Sequence, residues 1–234
     1  MAGLKSLAKD TAIYGMSSIV GKFLNYLLVP LHTAVLSVAS GEYGVVSNMY
    51  AFTALMMILL TFGMETGFFR FANKSDEDPM KVYANALIYV GGLSLLFLVL
   101  CFTFIHPLSA MLEYTDHPEY VGMIVVVIAL DSFFSIPFAF LRYKKRPIKF
   151  AGIKLFSIFL NIMLNLFFLL VCPWLAKHYP DTVSWFYNPH YMVGYIFGIN
   201  VATSAIQAFF FIPELRGFRY RIDPVLMKRM VHYS

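Results

Sequence analysis

The sequence predicts an all-α membrane protein built as a six-transmembrane-helix bundle, and three observations lead to this fold class. Hydrophobic residues make up 59% of the 234-residue chain and charged residues only 13%, whereas average soluble domains carry about 25% charged residues. The apolar residues form six long runs, each sufficient to cross a hydrocarbon core of about 30 Å. Runs of this length and uniformity fit helices, because the strands of a membrane barrel are shorter and alternate in polarity.

The six runs are separated by segments rich in turn-forming and charged residues, which read SVASGE, NKSDEDP, HPLSAMLEYTDHP, RYKKRP and the stretch 173–190. The predicted spans are 11–36, 43–69, 82–105, 120–141, 150–171 and 191–213. An even number of spans returns the chain to its starting side, as a parallel internal duplication requires. We therefore expect residues 1–234 to form a single six-helix lobe, with 214–234 as a basic cytoplasmic segment that leads toward a second lobe.

The basic residues indicate the orientation of the bundle. Fifteen of the 18 Lys and Arg residues lie in the N-terminal segment, in loops 70–81 and 142–149, or in the C-terminal tail. The opposite side carries the acidic loop 106–119 and the aromatic-rich segment 173–190. Because cytoplasmic loops hold an excess of Lys and Arg, this distribution predicts a multi-pass protein with both termini of this segment in the cytoplasm.

Lys22 lies near the middle of the first predicted span, and Ser18, Asn25 and Tyr26 share its helical face. A lysine at mid-membrane costs about 2.5–3.5 kcal/mol on insertion scales, so it must face protein or a water-filled cavity. We interpret Lys22, with Asn25 beside it, as a contact for an anionic head group such as a phosphate. A structural ion pair and a snorkelling lysine are the alternatives.

Asp131 and Glu65 are charged residues within the predicted spans, and Arg70 directly follows the second span. Asp131 lies near the centre of the fourth span, where it is the natural counter-ion for Lys22 or a proton or cation site for coupling. Glu65 and Arg70 lie at the cytoplasmic end of the second span. Five residues separate them, about 140° around a helix, so we do not expect these two to pair with each other. Arg70 either receives a phosphate or simply marks the cytoplasmic side.

Motifs for catalysis and for metal binding are missing from the sequence. We find no H-E-x-x-H, no P-loop and no G-x-S-x-G, and the six histidines are scattered. The two cysteines, Cys101 and Cys172, lie inside apolar runs, where packing is a better explanation than a disulfide. The sequence therefore predicts a protein that is not an enzyme and that has no cofactor and no metal site.

Several short motifs follow one another in residues 11–71. They are Gly21-Lys22, Leu28-Val29-Pro30-Leu31, Glu42-Tyr43-Gly44, Gly63-Met64-Glu65-Thr66 and Phe69-Arg70-Phe71. In this order and spacing, the region resembles the start of bacterial polysaccharide-exporter proteins. These are the O-antigen and capsule flippases of the multidrug/oligosaccharidyl-lipid/polysaccharide exporter superfamily. The later spans match that family in layout only.

The resemblance implies a two-lobed transporter of 12–14 helices, of which this chain supplies the N-terminal half. Such a protein flips undecaprenyl-pyrophosphate-linked oligosaccharide across the bacterial inner membrane by alternating access, for O-antigen, lipopolysaccharide or capsule assembly. Lys22 would face the pyrophosphate in a central cavity, and Arg70 would lie at its gate or entrance. The implied partners are the substrate lipid, the bilayer, the second lobe of the same polypeptide, and the polysaccharide polymerase and chain-length proteins, with no nucleic acid.

Three other functions remain open at this point. A multidrug or cation exporter of the same superfamily is one, although Lys22 argues against it because cationic cargo favours acidic residues. A membrane polymerase or glycosyltransferase is another, although the longest outward segment, 173–190, holds no cluster of catalytic residue types. A non-transporting scaffold of polysaccharide assembly is the third, and such a scaffold has no need of a lysine at mid-membrane.

Overall fold

The computed structural model describes residues 2–36, 41–74, 77–216 and 221–233, with the side chains of 2–9 excepted. Over these residues the fold is helical, and it contains six units long and apolar enough to cross a membrane. They are Asp10–Val35, Glu42–Ala72, Pro79–Thr103, Pro118–Tyr143, Pro147–His178 and Met192–Leu215. The predicted fold class, an all-α six-helix membrane bundle, is confirmed. Lys5, Lys9 and Arg219, counted above among the cytoplasmic cations, lie outside the described side chains.

The first span is broken into two helices, α1 (Ala2–Tyr26) and α2 (Leu28–Val35). Pro30 explains the break, because its ring has no N–H to donate and collides with the carbonyl four residues earlier. The N–H of Leu27 is shared between the carbonyls of the third and fourth residues before it, at 3.2 Å each. The break separates the half of the span that carries Lys22 from the half beyond it.

The second span is also broken, into α3 (Glu42–Thr61) and α4 (Met64–Ala72). Phe62 and Gly63 stand between them with φ of 41° and 65°, both in the left-handed region. Glycine adopts this conformation without steric cost. As a result Glu65 occupies the first turn of α4, where the helix dipole favours a negative charge.

The third span is α5 (Pro79–Thr103), which is followed by a short helix, α6 (Ile105–Met111), and by the fourth span, α7 (Pro118–Tyr143). The helix α7 continues on both sides of Pro137 and packs against α5, α11 and α3. In the apolar 18-residue core of this span 67% of the residues are buried, whereas 11% are buried in the corresponding core of the first span. The fourth span is therefore the central helix of the bundle.

The fifth span is longer than the predicted 150–171, because a π-helical turn carries it onward. Its segments are α8 (Pro147–Leu166), the π-helix Phe167–Val171 and α9 (Cys172–His178). The remaining helices are α10 (Pro180–Val183), α11 (Met192–Leu215), which is the sixth span, and α12 (Pro224–Tyr233). Cys172 is a buried free thiol, and Cys101 in α5 is also free.

Two buried apolar clusters hold the spans together near their opposite ends. One contains Phe68, Tyr83 and Phe140, and the rings of the last two stack with centroids 4.0 Å apart. The other contains Met49 in the first half of α3 and Phe197 near the start of α11. Aromatic pairs in offset or edge geometry stabilise such contacts beyond the area they bury.

The tail that follows the sixth span folds back onto the bundle. Leu226 and Met230 of α12 are buried in the cluster formed by α4 and α5. Arg229 Nη1 donates to Glu77 Oε1 at 2.7 Å, which adds an ion pair to this contact. The basic segment predicted at 214–234 thus contains a docked amphipathic helix.

Candidate ligand-binding cavity

A cavity of about 890 Å³ lies between the first, second, fourth, fifth and sixth spans. Charged, amide and hydroxyl side chains line it together with aliphatic and aromatic ones. The charged and amide residues in the lining are Lys22, Asn25, Glu65, Asp131, Arg142, Lys154, Asn161, Asn200 and Gln207. Its volume lies in the range of about 300–1,000 Å³ that is typical of ligand pockets.

Helical periodicity brings the polar residues of the central helix to the cavity. Asp131, Ser135 and Arg142 of α7 all line it, at spacings of four and seven residues. Eleven residues separate Asp131 from Arg142, which is close to three full turns, so both side chains lie on one face. Lys154 and Asn161 of α8 share a face in the same way. The cavity is therefore the meeting point of polar stripes on otherwise apolar helices.

Lys22 lines the cavity from α1, and Asn25 lies one turn further on. Both residues are exposed to the cavity. Among the described residues no carboxylate lies within 4.0 Å of Lys22, so its charge is not neutralised by an ion pair. The alternative of a structural ion pair for Lys22 therefore has no described partner.

Asp131 lines the same cavity, but it does not form the direct pair with Lys22 that the sequence suggested. Instead Ser204 Oγ of α11 donates to Asp131 Oδ1 at 2.8 Å. Asp131 contacts Ser204 because the sixth span packs beside the fourth and brings this hydroxyl within hydrogen-bonding distance of the carboxylate. Within the described part of the chain Asp131 has no basic partner, which leaves an acidic group available in the cavity.

A second lysine, Lys154, faces the cavity from α8. Its Nζ donates to Ser18 Oγ at 3.4 Å, one turn before Lys22 on α1. Its ammonium also lies 5.6 Å from the centre of the Phe150 ring, within reach of a cation–π contact. In the described residues it too has no carboxylate partner. This contact places the Lys154 ammonium beside the Ser18 hydroxyl of α1.

Glu65 forms an ion pair, and its partner is Arg142 rather than Arg70. Both side chains are part-exposed, at 40% and 32%, so the pair lies at the edge of the cavity. The Arg142 guanidinium also lies 5.4 Å from the Phe69 ring and 5.8 Å from the Phe150 ring. Its Nε is buried and has no acceptor among the described residues, so one donor of the group is unused.

The other end of the cavity holds a chain of hydrogen bonds between uncharged side chains. Asn165 Nδ2 donates to Asn161 Oδ1 at 3.0 Å, and Asn161 Nδ2 donates to Asn200 Oδ1 at 2.9 Å. Asn200 Nδ2 then donates to the hydroxyl oxygen of Tyr50 at 2.9 Å. Buried His32 joins the chain through Nε2, 3.0 Å from Asn165 Oδ1. These residues link α2, α8, α11 and α3.

Arg70 does not line the cavity, although it was predicted to contact substrate. Its guanidinium carbon lies 3.8 Å from the centre of the Tyr233 ring in α12. The residue is exposed at the end of α4, five positions beyond Glu65. The structure therefore separates Arg70 from the group formed by Lys22, Asn25, Asp131 and Glu65, and a role at the cavity entrance stays a prediction.

Sequence reasoning missed Arg142 and Lys154 as cavity residues. Both stand near span ends, where a cation usually marks the cytoplasmic side. The signal that identifies them is their spacing from other polar residues of the same helix. Arg142 shares a helical face with Asp131, and Lys154 shares one with Asn161. A search for polar stripes within each span, in place of single buried charges, finds both.

Comparison with known protein families adds an independent finding. A family model described as "Polysaccharide biosynthesis protein" matches residues 35–178. The match spans Glu65, Asp131, Arg142 and Lys154, whereas Lys22 lies before it. No curated protein and no solved structure matches the chain. Since the match covers more than half of its length, this chain belongs to the polysaccharide biosynthesis protein family.

Proposed function

We propose that the chain is the first lobe of a two-lobed transporter that flips lipid-linked oligosaccharide across the bacterial inner membrane for surface polysaccharide assembly. The observation that carries the proposal is the pair of lysines, Lys22 and Lys154, in one cavity within the membrane spans. Neither has a carboxylate partner among the described residues. Membership of a polysaccharide biosynthesis family supports a saccharide-containing substrate.

The chemistry of the cavity suits a pyrophosphate-linked lipid such as an undecaprenyl-pyrophosphate oligosaccharide. Two ammonium groups in a site of reduced dielectric attract an anion far more strongly than they do in water. The Glu65 carboxylate is engaged by Arg142, so its repulsion of an incoming phosphate is reduced.

Translocation requires the cavity to face each side of the membrane in turn. We infer that a second lobe of the same polypeptide completes the pathway and that rocking of the two lobes alternates access. Large apolar side chains on the first two spans, such as Phe23 at 62% exposure and Ile58 at 69%, offer surface for that lobe or for lipid. The polysaccharide polymerase and chain-length proteins are the further partners we propose. No catalytic role is assigned to the chain.

The orientation is also part of the proposal. Both termini of the chain are placed in the cytoplasm, because the loop at 142–149 and the residues after the sixth span hold most of the basic side chains. Lys154 then lies in the half of the membrane from which a lipid assembled in the cytoplasm arrives, and Lys22 lies near the middle of the membrane. The membrane potential acts on each moved charge with about 2.3 kcal/mol per 100 mV.

Export of a small cation by the same cavity is the second candidate, and one observation favours it. Asp131 faces the cavity with Ser204 as its hydrogen-bond partner and with no basic residue beside it among those described. Within the leading proposal Asp131 serves instead as a proton or cation site that couples transport to an ion gradient.

The test replaces Lys22 and Lys154 by glutamine, singly and together, in cells that assemble the surface polysaccharide. We expect the double variant to accumulate lipid-linked oligosaccharide on the cytoplasmic face and to reduce surface polysaccharide by more than about tenfold. The matched control is Lys177→Gln, an exposed lysine of α9 outside the cavity. Normal surface polysaccharide in the double variant would remove the proposed role of the two lysines. Loss of cation resistance with normal polysaccharide would favour the second candidate.

A further inference from the structure

The basic side chains and the hydrogen-bonded asparagines of the cavity lie at different depths along the membrane normal. Arg142 and Lys154 lie toward the end of the bundle where the chain starts, Lys22 and Asp131 lie near mid-span, and Asn161 and Asn200 lie further toward the other end. Seven residues of α8 separate Lys154 from Asn161, which is about 10 Å along the helix axis. The cavity thus has a charged end and an uncharged end.

Hydrogen bonds at the uncharged end all run in one direction. Because the amide nitrogen of Asn165 donates to Asn161, its oxygen must accept, and His32 Nε2 therefore carries a proton. Asn161 donates to Asn200, and Asn200 donates to the Tyr50 hydroxyl. The chain ends at that hydroxyl, whose own hydrogen has no acceptor among the described residues.

Tyr50 is held in place for a ligand contact. Its oxygen is fixed by Asn200 at 2.9 Å, and its ring meets the Phe197 ring edge to face with centroids 6.4 Å apart. The residue is nevertheless 39% exposed and lines the cavity, so part of its surface remains accessible. Tyr26, which is 71% exposed, and Asn25 line the same cavity from α1. A fixed aromatic ring with positioned amide groups beside it is typical of sites that bind uncharged polar ligands.

We propose that this uncharged end, formed by Tyr50, Asn200, Asn161, Asn25 and Tyr26, is a binding subsite for the saccharide of the lipid-linked substrate. It recognises a neutral, polyhydroxylated group, whereas the lysine end holds the pyrophosphate. The inference rests on the proposed function for its cargo. It adds that the substrate enters with the sugar toward the amide end, and that His32 and Asn165 position the contact residues without touching the sugar.

The experiment measures binding to the chain in lipid nanodiscs by native mass spectrometry. The two probes are undecaprenyl pyrophosphate and the same lipid carrying the host's own oligosaccharide, extracted from the host. We expect the wild type to bind the glycosylated lipid about tenfold more tightly. Tyr50→Phe and Asn25→Ala should each reduce that ratio by about threefold or more, and Tyr50→Phe should leave the affinity for undecaprenyl pyrophosphate unchanged.

Asn48→Ala serves as the matched control, because Asn48 is an exposed amide on the same helix as Tyr50 but lies outside the cavity. Lys22→Gln should lower the affinity for both lipids by the same factor. An equal affinity of the wild type for the two lipids would overturn the saccharide subsite, and so would a ratio that Tyr50→Phe and Asn25→Ala both leave unaltered.

Failure of the proposed function gives a different pattern. If neither lipid binds, the free oligosaccharide, released by mild acid, becomes the probe. Binding of the free oligosaccharide that Tyr50→Phe weakens would keep the subsite and remove the pyrophosphate site. No binding of the free oligosaccharide in that case would overturn the subsite as well.

Discussion

Lys22 and Lys154 show how the cost of a charge within a membrane depends on its neighbours. Each lysine lines a polar cavity, and Lys154 donates to Ser18, which lies one turn before Lys22 on α1. Lys22, Asp131 and Glu65 were recognisable from the sequence because a charge inside an apolar run has few benign explanations. Arg142 and Lys154 were not, because a cation near a span end is ordinary. Which residue each charged side chain contacts, such as Ser204 for Asp131, depends on how spans that are distant in the sequence pack against each other.

The first prediction concerns the Glu65–Arg142 pair. Glu65→Gln removes the charge that compensates a part-buried guanidinium, so we expect a loss of about 1–2 kcal/mol in stability, between the values for exposed and for buried pairs. Arg142→Gln alone should cost a similar amount. The measurement is thermal unfolding of both single variants and of the double variant in detergent. If the double variant loses the full sum of the two single losses, the two residues are not coupled.

The second prediction uses Asp223, which lies before α12. A hydrogen bond from the Lys81 side chain, followed by one from the N–H of Leu226, holds the pKa of Asp223 below its usual 3.8. A lowered pKa means that the charged form is stabilised in the docked state. Its contribution to docking is therefore complete above about pH 4 and is lost as pH falls through the lower docked-state pKa.

A spin label at Val225, in a chain whose two cysteines are replaced by alanine, reports this change. We expect label mobility to rise between pH 6 and pH 3, and Asp223→Asn to show raised mobility already at pH 6 with a smaller acid response. Asp181→Asn, in the exposed helix α10, is the control. Identical mobility of the wild type at both pH values would contradict the role given to Asp223.

At the scale of elements, the six spans were predictable but their interruptions were not. Length and apolar composition are sufficient to find a span. The break between α3 and α4 requires two consecutive left-handed residues, Phe62 and Gly63, and a glycine in an apolar run is common in membrane helices without any break. The π-helical turn at Phe167–Val171 has no signal in this sequence that we recognise.

The third prediction tests the break in the second span. Gly63→Ala places a Cβ on a residue with φ of 65°, so we expect a destabilisation of about 1–2 kcal/mol and a shifted Glu65. Gly92→Ala is the matched control, because Gly92 lies within α5, with nothing near its Cβ position. It should be neutral or slightly stabilising in the same thermal unfolding measurement. Equal behaviour of the two variants would mean that the left-handed break is not required.

At the scale of the whole molecule, one arrangement serves both the fold and the proposed transport. The central helix α7 presents apolar residues to α5 and a polar stripe, which includes Asp131, to the cavity. The sequence supplied the count of spans and the existence of mid-membrane charges. It did not supply the difference in depth between Lys154 and the amides of Asn161 and Asn200, because that depends on how the spans pack.

The central claim is that the two cavity lysines carry a pyrophosphate-linked oligosaccharide across the membrane, and a flipping assay tests it most directly. The protein is reconstituted together with the proposed second lobe in vesicles whose lipid-linked oligosaccharide is confined to the inner leaflet. A glycosidase added outside then measures its appearance. The account predicts steady appearance with the wild type and with Lys177→Gln, and a rate at least about tenfold lower with Lys22→Gln combined with Lys154→Gln. A wild-type rate equal to that of protein-free vesicles, or an undiminished rate in the double variant, would contradict it.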